Sequence, residues 1–259
     1  MSFSITETLL AGSLFVGMLL MFEVGRRFGI ARRRRDPDGV DKGSGPVEAA
    51  VFGLLGLLLA FTFSGAASRF EDRRHLITEE ANAIGTAYLR IDLLPPDTQP
   101  AIRQLFVRYL NTRTDIYRSA EDVAATKAKA YETNVLQSEI WSQAVSASKQ
   151  PDAATQAAIL LLPALNAMID ITTTRAVAMQ NHPPRAIFFL LAALSLVSAL
   201  LAGYVMCSTA VRSWFYMLLF AATMSVTFFV ILDLEYPRYG LIRVDAADQV
   251  FVELRNLVR

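Results

Sequence analysis

Four long apolar runs divide the chain, and polar stretches separate them. The runs cover residues 5–24, 47–67, 186–206 and 213–232. Each has about the 20 residues that an α-helix needs to cross the hydrocarbon core of a bilayer. Each run therefore predicts a transmembrane helix. No Lys or Arg precedes the first run, so it lacks the basic start of a secretory signal peptide and we expect it to be retained.

The second apolar run continues, with no proline, into an amphipathic stretch that reaches residue 90. From residue 68 onward, charged side chains alternate with apolar ones at three- and four-residue spacings, which is the period of an α-helix. This spacing predicts one helix over residues 47–90, about 65 Å long at 1.5 Å per residue. Since a bilayer core is about half that thick, we expect the helix to project well beyond the membrane.

Polar amphipathic helices are also predicted between the second and third apolar runs. Pro95 and Pro96 end the long helix. Helices are expected over residues 99–119, 119–148 and 151–180, and Pro183-Pro184 ends the last of them. No stretch alternates with the two-residue period of a β-strand. The predicted fold class is therefore an all-α membrane protein with four transmembrane helices and an inserted extramembrane helical domain.

Four segments follow from this pattern. The first two transmembrane helices and their Arg-rich connecting loop occupy residues 1–67, the helical domain 68–184, the last two transmembrane helices 185–232, and a polar C-terminal tail 233–259. Hydrophobic residues make up 53% of the 259-residue chain, as expected for a membrane protein with a large polar part. The net charge of +1 gives no sign of nucleic-acid binding. The hydrophobic composition indicates the lipid bilayer as a partner.

Positive charge is concentrated between the first two spans. Six arginines lie within residues 26–35, and the positive-inside rule places such a loop in the cytoplasm. With four spans, the helical domain and both termini then share the other side. We therefore expect a multi-pass protein of the cell (inner) membrane with an extracytoplasmic helical domain. A site for anionic lipids is the alternative use of these arginines.

No known catalytic motif occurs in the chain: there is no P-loop, GxSxG or HExxH sequence. Glu79 and Glu80 are neighbours on a helix and point about 100° apart, so a solvated or salt-bridged face is expected rather than an acid–base pair. His75, His182 and Cys207 are the chain's only histidines and cysteine, too few for a zinc or copper site of the usual kind. We therefore expect no enzymatic activity, cofactor or metal.

A stripe along the second apolar run suggests a pore. Gly53, Leu57, Phe61 and Ser64 recur at helical spacing, apolar first and then weakly polar. Rings of Leu57 and Phe61 from several copies would form a hydrophobic constriction that gates by dewetting. The alternative for both side chains is packing against the other spans.

Two groups of residues resemble the bestrophin family. Phe61, Arg69, Phe70, Asp72 and Arg74 match the spacing of the family's second transmembrane helix and its continuation. The segment from Glu235 to Gly240 is similar to the family's Glu-x-Pro-Phe-Gly sequence after the last span. The EANAIG stretch that begins at Glu80, and Asp233 with Pro237 four residues later, resemble a short bacterial bestrophin-like group.

The resemblance implies a homo-oligomer, most often a pentamer with a tetramer as the other possibility, that conducts small inorganic anions such as chloride. It places Leu57 and Phe61 on the wall of the pore neck, with Gly53 one turn away where bestrophins have a bulky apolar residue. The tail lacks the family's acidic cluster, so no calcium clasp of the animal kind is expected. Bestrophins hold the helical domain in the cytosol, opposite to the charge rule. A membrane-anchored helical sensor or scaffold that binds a ligand or partner is the alternative function.

Overall fold

The computed structural model describes residues 3–35, 45–118, 123–208, 214–244 and 249–258. Its helices are α1 (Phe3–Arg35), α2 (Gly45–Leu89), α3 (Gln99–Arg118), α4 (Val123–Ala147), α5 (Ala157–Gln180), α6 (Arg185–Val205), α7 (Trp214–Glu235) and α8 (Gln249–Leu257), with short 3-10 helices at Arg90–Leu93 and Met206–Ser208. These described residues contain no β-strand, which confirms the predicted all-α class.

The chain forms two compact units. The membrane unit comprises Met1–Phe70 and His182–Ile242, and the helical unit comprises Glu71–Asn181 and Arg243–Arg259. Within the described residues, four helical stretches are long and apolar enough to cross a membrane: Ile5–Arg35, Gly45–Leu93, Ala157–Val205 and Trp214–Glu235. The four predicted spans are thus confirmed. The third stretch joins α5 to α6 across a break at residues 181–184, where two prolines interrupt helical hydrogen bonding.

The predicted Arg-rich loop is wrong for residues 26–35, because α1 continues through all of them to Arg35. Arginine has a high helix propensity, and positive charge in the last turn interacts favourably with the helix dipole. Nothing in this stretch breaks a helix before Pro37. The remaining loop residues, 36–44, and residues 209–212 of the predicted turn between the last two spans lie outside the described part of the chain.

Close contact between α1 and α6 organises the membrane unit. A Cβ atom on Gly25 would lie 1.9 Å from the carbonyl oxygen of Leu200, and one on Gly203 would lie 2.1 Å from that of Phe22. Glycine at both positions therefore lets the two backbones touch, as small residues do in membrane helix pairs. Around this crossing, α1, α2, α6 and α7 bury an apolar core that includes Met18, Phe22, Leu55, Leu191 and Ala221.

In the helical unit, α3 packs against α4, and α4 against α5. α3 buries an apolar face that includes Ile102, Phe106, Tyr109 and Leu110. α5 begins at Ala157, later than the predicted start at residue 151, because residues 149–153 form turns first. The 3-10 segment after α2 is tied to α5 by Arg90, whose guanidinium donates a 2.6 Å hydrogen bond to the carbonyl oxygen of Leu160.

Candidate functional site

The stripe predicted on the second span lies on the open face of α2. Leu57 is 53% exposed and Phe61 is 68% exposed, while Gly53 and Ser64 are exposed as well. A Cβ atom on Gly53 would meet no neighbouring atom within 4 Å. Within the described chain, these four positions are therefore free to face lipid, a second copy or a pore.

The opposite face of α2 holds the helix in the membrane unit. Leu55 and Ala66 are buried in the apolar core, and Thr62 is buried beside them. The Thr62 hydroxyl donates a 2.6 Å hydrogen bond to the carbonyl oxygen of Leu58 within the same helix, so its polar group is satisfied without a partner elsewhere. α2 is thus anchored along one side only, and the predicted stripe is on the other.

Arg69 and Glu235 link the two groups of residues that carry the bestrophin resemblance. Glu235 is 1% exposed, and the Nε atom of Arg69 lies 3.0 Å and 3.2 Å from its two carboxylate oxygens. The Nη2 atom of Arg69 also donates to Glu235. A bidentate arginine is a strong partner for a buried carboxylate. His182 also contacts Glu235, since its Nδ1 atom lies 3.5 Å from the same carboxylate.

Asp233 closes the loop that follows α7. Its carboxylate is buried and accepts hydrogen bonds from the backbone N–H groups of Leu241, at 2.8 Å, and Ile242, at 2.7 Å. A Cβ atom on Gly240 would lie 1.8 Å from Oδ1 of Asp233, so any larger residue would force this carboxylate to move. Pro237 is buried in the same loop. Asp233, Pro237 and Gly240 therefore have a structural role, which is to fold the chain back after the last span.

Glu80 is the centre of a buried ion cluster in the helical unit. Its side chain is fully buried, and Arg113 donates to both carboxylate oxygens at 2.5 Å and 3.0 Å. Arg175 donates to the same carboxylate. Burial alone would raise the pKa of Glu80, but the charges and hydrogen bonds of the two arginines outweigh it and hold the pKa below the usual 4.5. The expected salt-bridged face is confirmed for Glu80.

The other motif residues of α2 lie on its surface. Asp72 is exposed, and Arg74 forms a surface ion pair with Glu71 at 2.8 Å. Glu79 is also exposed and contacts His75. The residues that resemble the bestrophin motifs are therefore divided between the two units. The membrane unit contains Arg69, Asp233, Pro237 and Gly240, and the helical unit contains Asp72, Arg74 and Glu80.

Sequence reasoning missed Arg113 and Arg175 as partners of Glu80. Arg113 follows Tyr109 and Leu110 on the buried face of α3. A charged residue at a core position is the signal that would have found it, because a buried charge requires a partner. Among the described residues of a single chain, no group of three His, Cys, Asp or Glu side chains could hold a metal ion.

Comparisons with known proteins agree with this architecture. A profile of the Bestrophin-like domain matches residues 12–248. A crystal structure of a bacterial bestrophin homolog from Klebsiella pneumoniae has a TM-score of 0.72 at 13% identity, over 95% of this chain and 96% of that one. A second variant of that homolog gives 0.70 at 14% identity, over 93% and 97% of the two chains. No curated protein sequence matches significantly. Since the domain profile covers most of its length, this chain belongs to the bestrophin-like family.

Proposed function

We propose that this protein is an oligomeric channel of the cell membrane that passes small anions such as chloride through a pore lined by α2. The observation that carries the proposal is the open stripe of Gly53, Leu57, Phe61 and Ser64 on a helix that buries its opposite face. Membership of the bestrophin-like family supports it.

Several copies around an axis would bring this face of α2 together at the centre. Leu57 and Phe61 would then form rings of apolar side chains, a constriction that holds back water until it widens. None of the four stripe residues is charged, so the neck narrows the path without selecting ions by charge. The preference for anions, and a pentamer rather than a tetramer, rest on the resemblance to bestrophins.

Chloride flux through liposomes that contain the purified oligomer tests this function. We expect flux above that of protein-free liposomes, and a faster flux for Leu57→Ala and Phe61→Ala because smaller side chains widen an apolar constriction. Leu190→Ala and Phe189→Ala on α6 are matched controls, since these side chains are 52% and 75% exposed and would face lipid. These controls should leave the rate unchanged.

Two results would contradict the proposal. One is a folded oligomer that gives no chloride flux. The other is a Phe61→Ala variant whose rate changes no more than that of Phe189→Ala. Monomeric or dimeric behaviour in detergent would instead favour a membrane-anchored sensor or scaffold.

The sidedness that we propose follows from charge. Because Arg32–Arg35 end α1 as an exposed basic turn, the positive-inside rule places that end of α1 in the cytoplasm and both termini and the helical unit outside. Alkaline phosphatase fused to the C-terminus should then be active in intact cells. An inactive phosphatase fusion, with a fluorescent cytoplasmic fusion at the same site, would reverse this orientation.

A further inference from the structure

α1 continues past the end of the helix that it packs against. Gly29 marks where α1 meets the end of α6, because a Cβ atom on Gly29 would lie 2.5 Å from the carbonyl oxygen of Tyr204 and 2.7 Å from Sγ of Cys207. α6 itself ends at Val205. Arg33 lies one turn beyond Gly29 on the same side of α1, yet it is exposed. The last turn of α1 therefore projects beyond the described end of α6.

The length of α1 places this last turn at the membrane surface. The apolar run at residues 5–24 is about 30 Å long at 1.5 Å per residue, which matches the hydrocarbon core of a bilayer. Arg32 then lies about 12 Å beyond the core. Side chains of an α-helix tilt toward its N-terminus, so the long arginine side chains can return to the headgroup layer. Trp214 and Tyr216 are exposed at the start of α7, shortly after α6 ends, and aromatic side chains of this kind mark the headgroup level.

Four positive charges surround this end of α1. Arg32–Arg35 are all exposed, and no acidic side chain among the described residues pairs with them, whereas Arg27 is paired with Glu23 at 2.9 Å. Consecutive residues of a helix point about 100° apart, so the four guanidinium groups point to all sides of α1. A protein surface on one side of α1 would cover only part of them. Residues 26–42 contain seven basic and three acidic residues, so the acidic residues after α1 cannot neutralise the segment.

The phosphate groups of anionic phospholipids match this turn in charge, geometry and depth. A guanidinium group binds a phosphate through two parallel hydrogen bonds, and clusters of four or more basic residues beside a transmembrane helix attract anionic headgroups. The bilayer presents these headgroups at the depth that the arginine side chains reach. Phosphatidylcholine carries the same phosphate but no net charge, so it offers only part of the attraction.

We propose that the basic turn Arg32–Arg35 binds the headgroups of anionic phospholipids, such as phosphatidylglycerol, in the leaflet at this end of α1. Lipids bound there hold the end of α1 at a fixed depth, since moving the helix along its axis would pull the guanidinium groups away from the phosphates. The positive-inside rule describes how a chain inserts, whereas this binding is a property of the folded protein. It requires only that α1 crosses a membrane, in either orientation, and it does not depend on ion conduction.

Native mass spectrometry of the delipidated protein tests this binding with phosphatidylglycerol and phosphatidylcholine of the same acyl chains. We expect the wild type to bind phosphatidylglycerol more tightly. Arg32→Gln/Arg34→Gln should weaken that binding by about tenfold or more, since each basic residue near a membrane surface contributes about fivefold. Arg32→Lys/Arg34→Lys should retain most of the affinity, because both charges remain. Lys127→Gln/Lys149→Gln, which removes two exposed charges from the helical unit, is the matched control and should bind like the wild type.

Equal affinity of the wild type for the two lipids would overturn the proposal, and so would a Gln variant that loses no more affinity than the control. A Lys variant that binds as weakly as the Gln variant would show that charge is not the cause. Inorganic phosphate carries the same charged group, and we expect it to displace phosphatidylglycerol only in large excess. Displacement at concentrations near that of the lipid would mean that the arginines bind soluble anions, and the lipid assignment would be wrong. An absence of chloride flux would contradict the proposed function and leave this binding unaffected.

Discussion

The close contact between Gly240 and the Asp233 carboxylate predicts that adding one methyl group at residue 240 destabilises the protein. In Gly240→Ala, the new methyl group would lie 1.8 Å from Oδ1 of Asp233, so the carboxylate must move away. It would then lose its hydrogen bonds to the backbone N–H groups of Leu241 and Ile242. Hydrogen bonds to a charged group contribute about 1.5 to 3 kcal/mol each. We take the lower value, which gives about 3 kcal/mol for the two hydrogen bonds together, because Leu241 and Ile242 are exposed and water can form part of the lost hydrogen bonding.

Thermal unfolding of the purified oligomer measures this cost. For a protein of this size, about 3 kcal/mol corresponds to a fall in Tm of about 6 to 12 °C. Asp233→Ala should lower Tm by a similar amount, since it removes the same two hydrogen bonds. The double variant Asp233→Ala/Gly240→Ala should be no less stable than Asp233→Ala alone, because the methyl group no longer meets a carboxylate.

Additive effects would refute this reasoning. If the double variant loses the sum of the two single effects, Gly240 and Asp233 act independently and the close contact is not the cause. Gly12→Ala is the matched control, since a Cβ atom on Gly12 meets nothing within 4 Å. Alanine is also the better helix former, so this control should not lower Tm.

Three further substitutions test the rest of the structure. Glu80→Gln should destabilise the protein by about 3 to 5 kcal/mol, because its two arginine partners keep their buried charge. In the wild type, the pKa of Glu80 is lowered, so its ionised carboxylate contributes to the free energy of unfolding above pH 4.5, and this contribution is lost as the pH falls further. Unfolding measured as a function of pH should show that Glu80→Gln lacks this part of the acid sensitivity. Gly203→Ala should lower Tm far more than the Gly12→Ala control, since its methyl group would lie 2.1 Å from the carbonyl oxygen of Phe22. Arg69→Met should destabilise by about 3 to 5 kcal/mol, and adding Glu235→Gln should recover part of the loss; no recovery in melting assays would show that the ion pair is not what Arg69 contributes.

The sequence was sufficient for the four spans and for the long second helix. Hydrophobic runs and prolines are local signals, so the four spans and the long helix that ends before Pro95 follow from them directly. The end of the first apolar run predicts a connecting loop at the arginines that follow it, but α1 continues through them to Arg35. A change in polarity marks where a helix leaves the membrane, and it does not mark where the helix ends.

The partners of the charged residues could not be read from the sequence. Periodicity places Arg69 and Glu80 on faces of α2, but Arg69 pairs with a residue 166 positions away, and Glu80 with two residues on α3 and α5. Such pairings depend on how separate helices pack. The resemblance to bestrophins identifies Arg69 and the segment that begins at Glu235 separately, and the structure shows that Arg69 and Glu235 are in contact.

Cysteine modification at Phe61 tests the central claim, that the open face of α2 lines a conducting pore. The chain has one cysteine, Cys207, so Cys207→Ser provides a cysteine-free background. Phe61→Cys and Phe189→Cys in that background place thiols at two exposed phenylalanine positions, one on the stripe of α2 and one on α6. After treatment with a charged methanethiosulfonate, chloride flux through liposomes should fall sharply for Phe61→Cys and remain unchanged for Phe189→Cys. Unchanged flux through Phe61→Cys, with its modification verified by mass spectrometry, would contradict the claim.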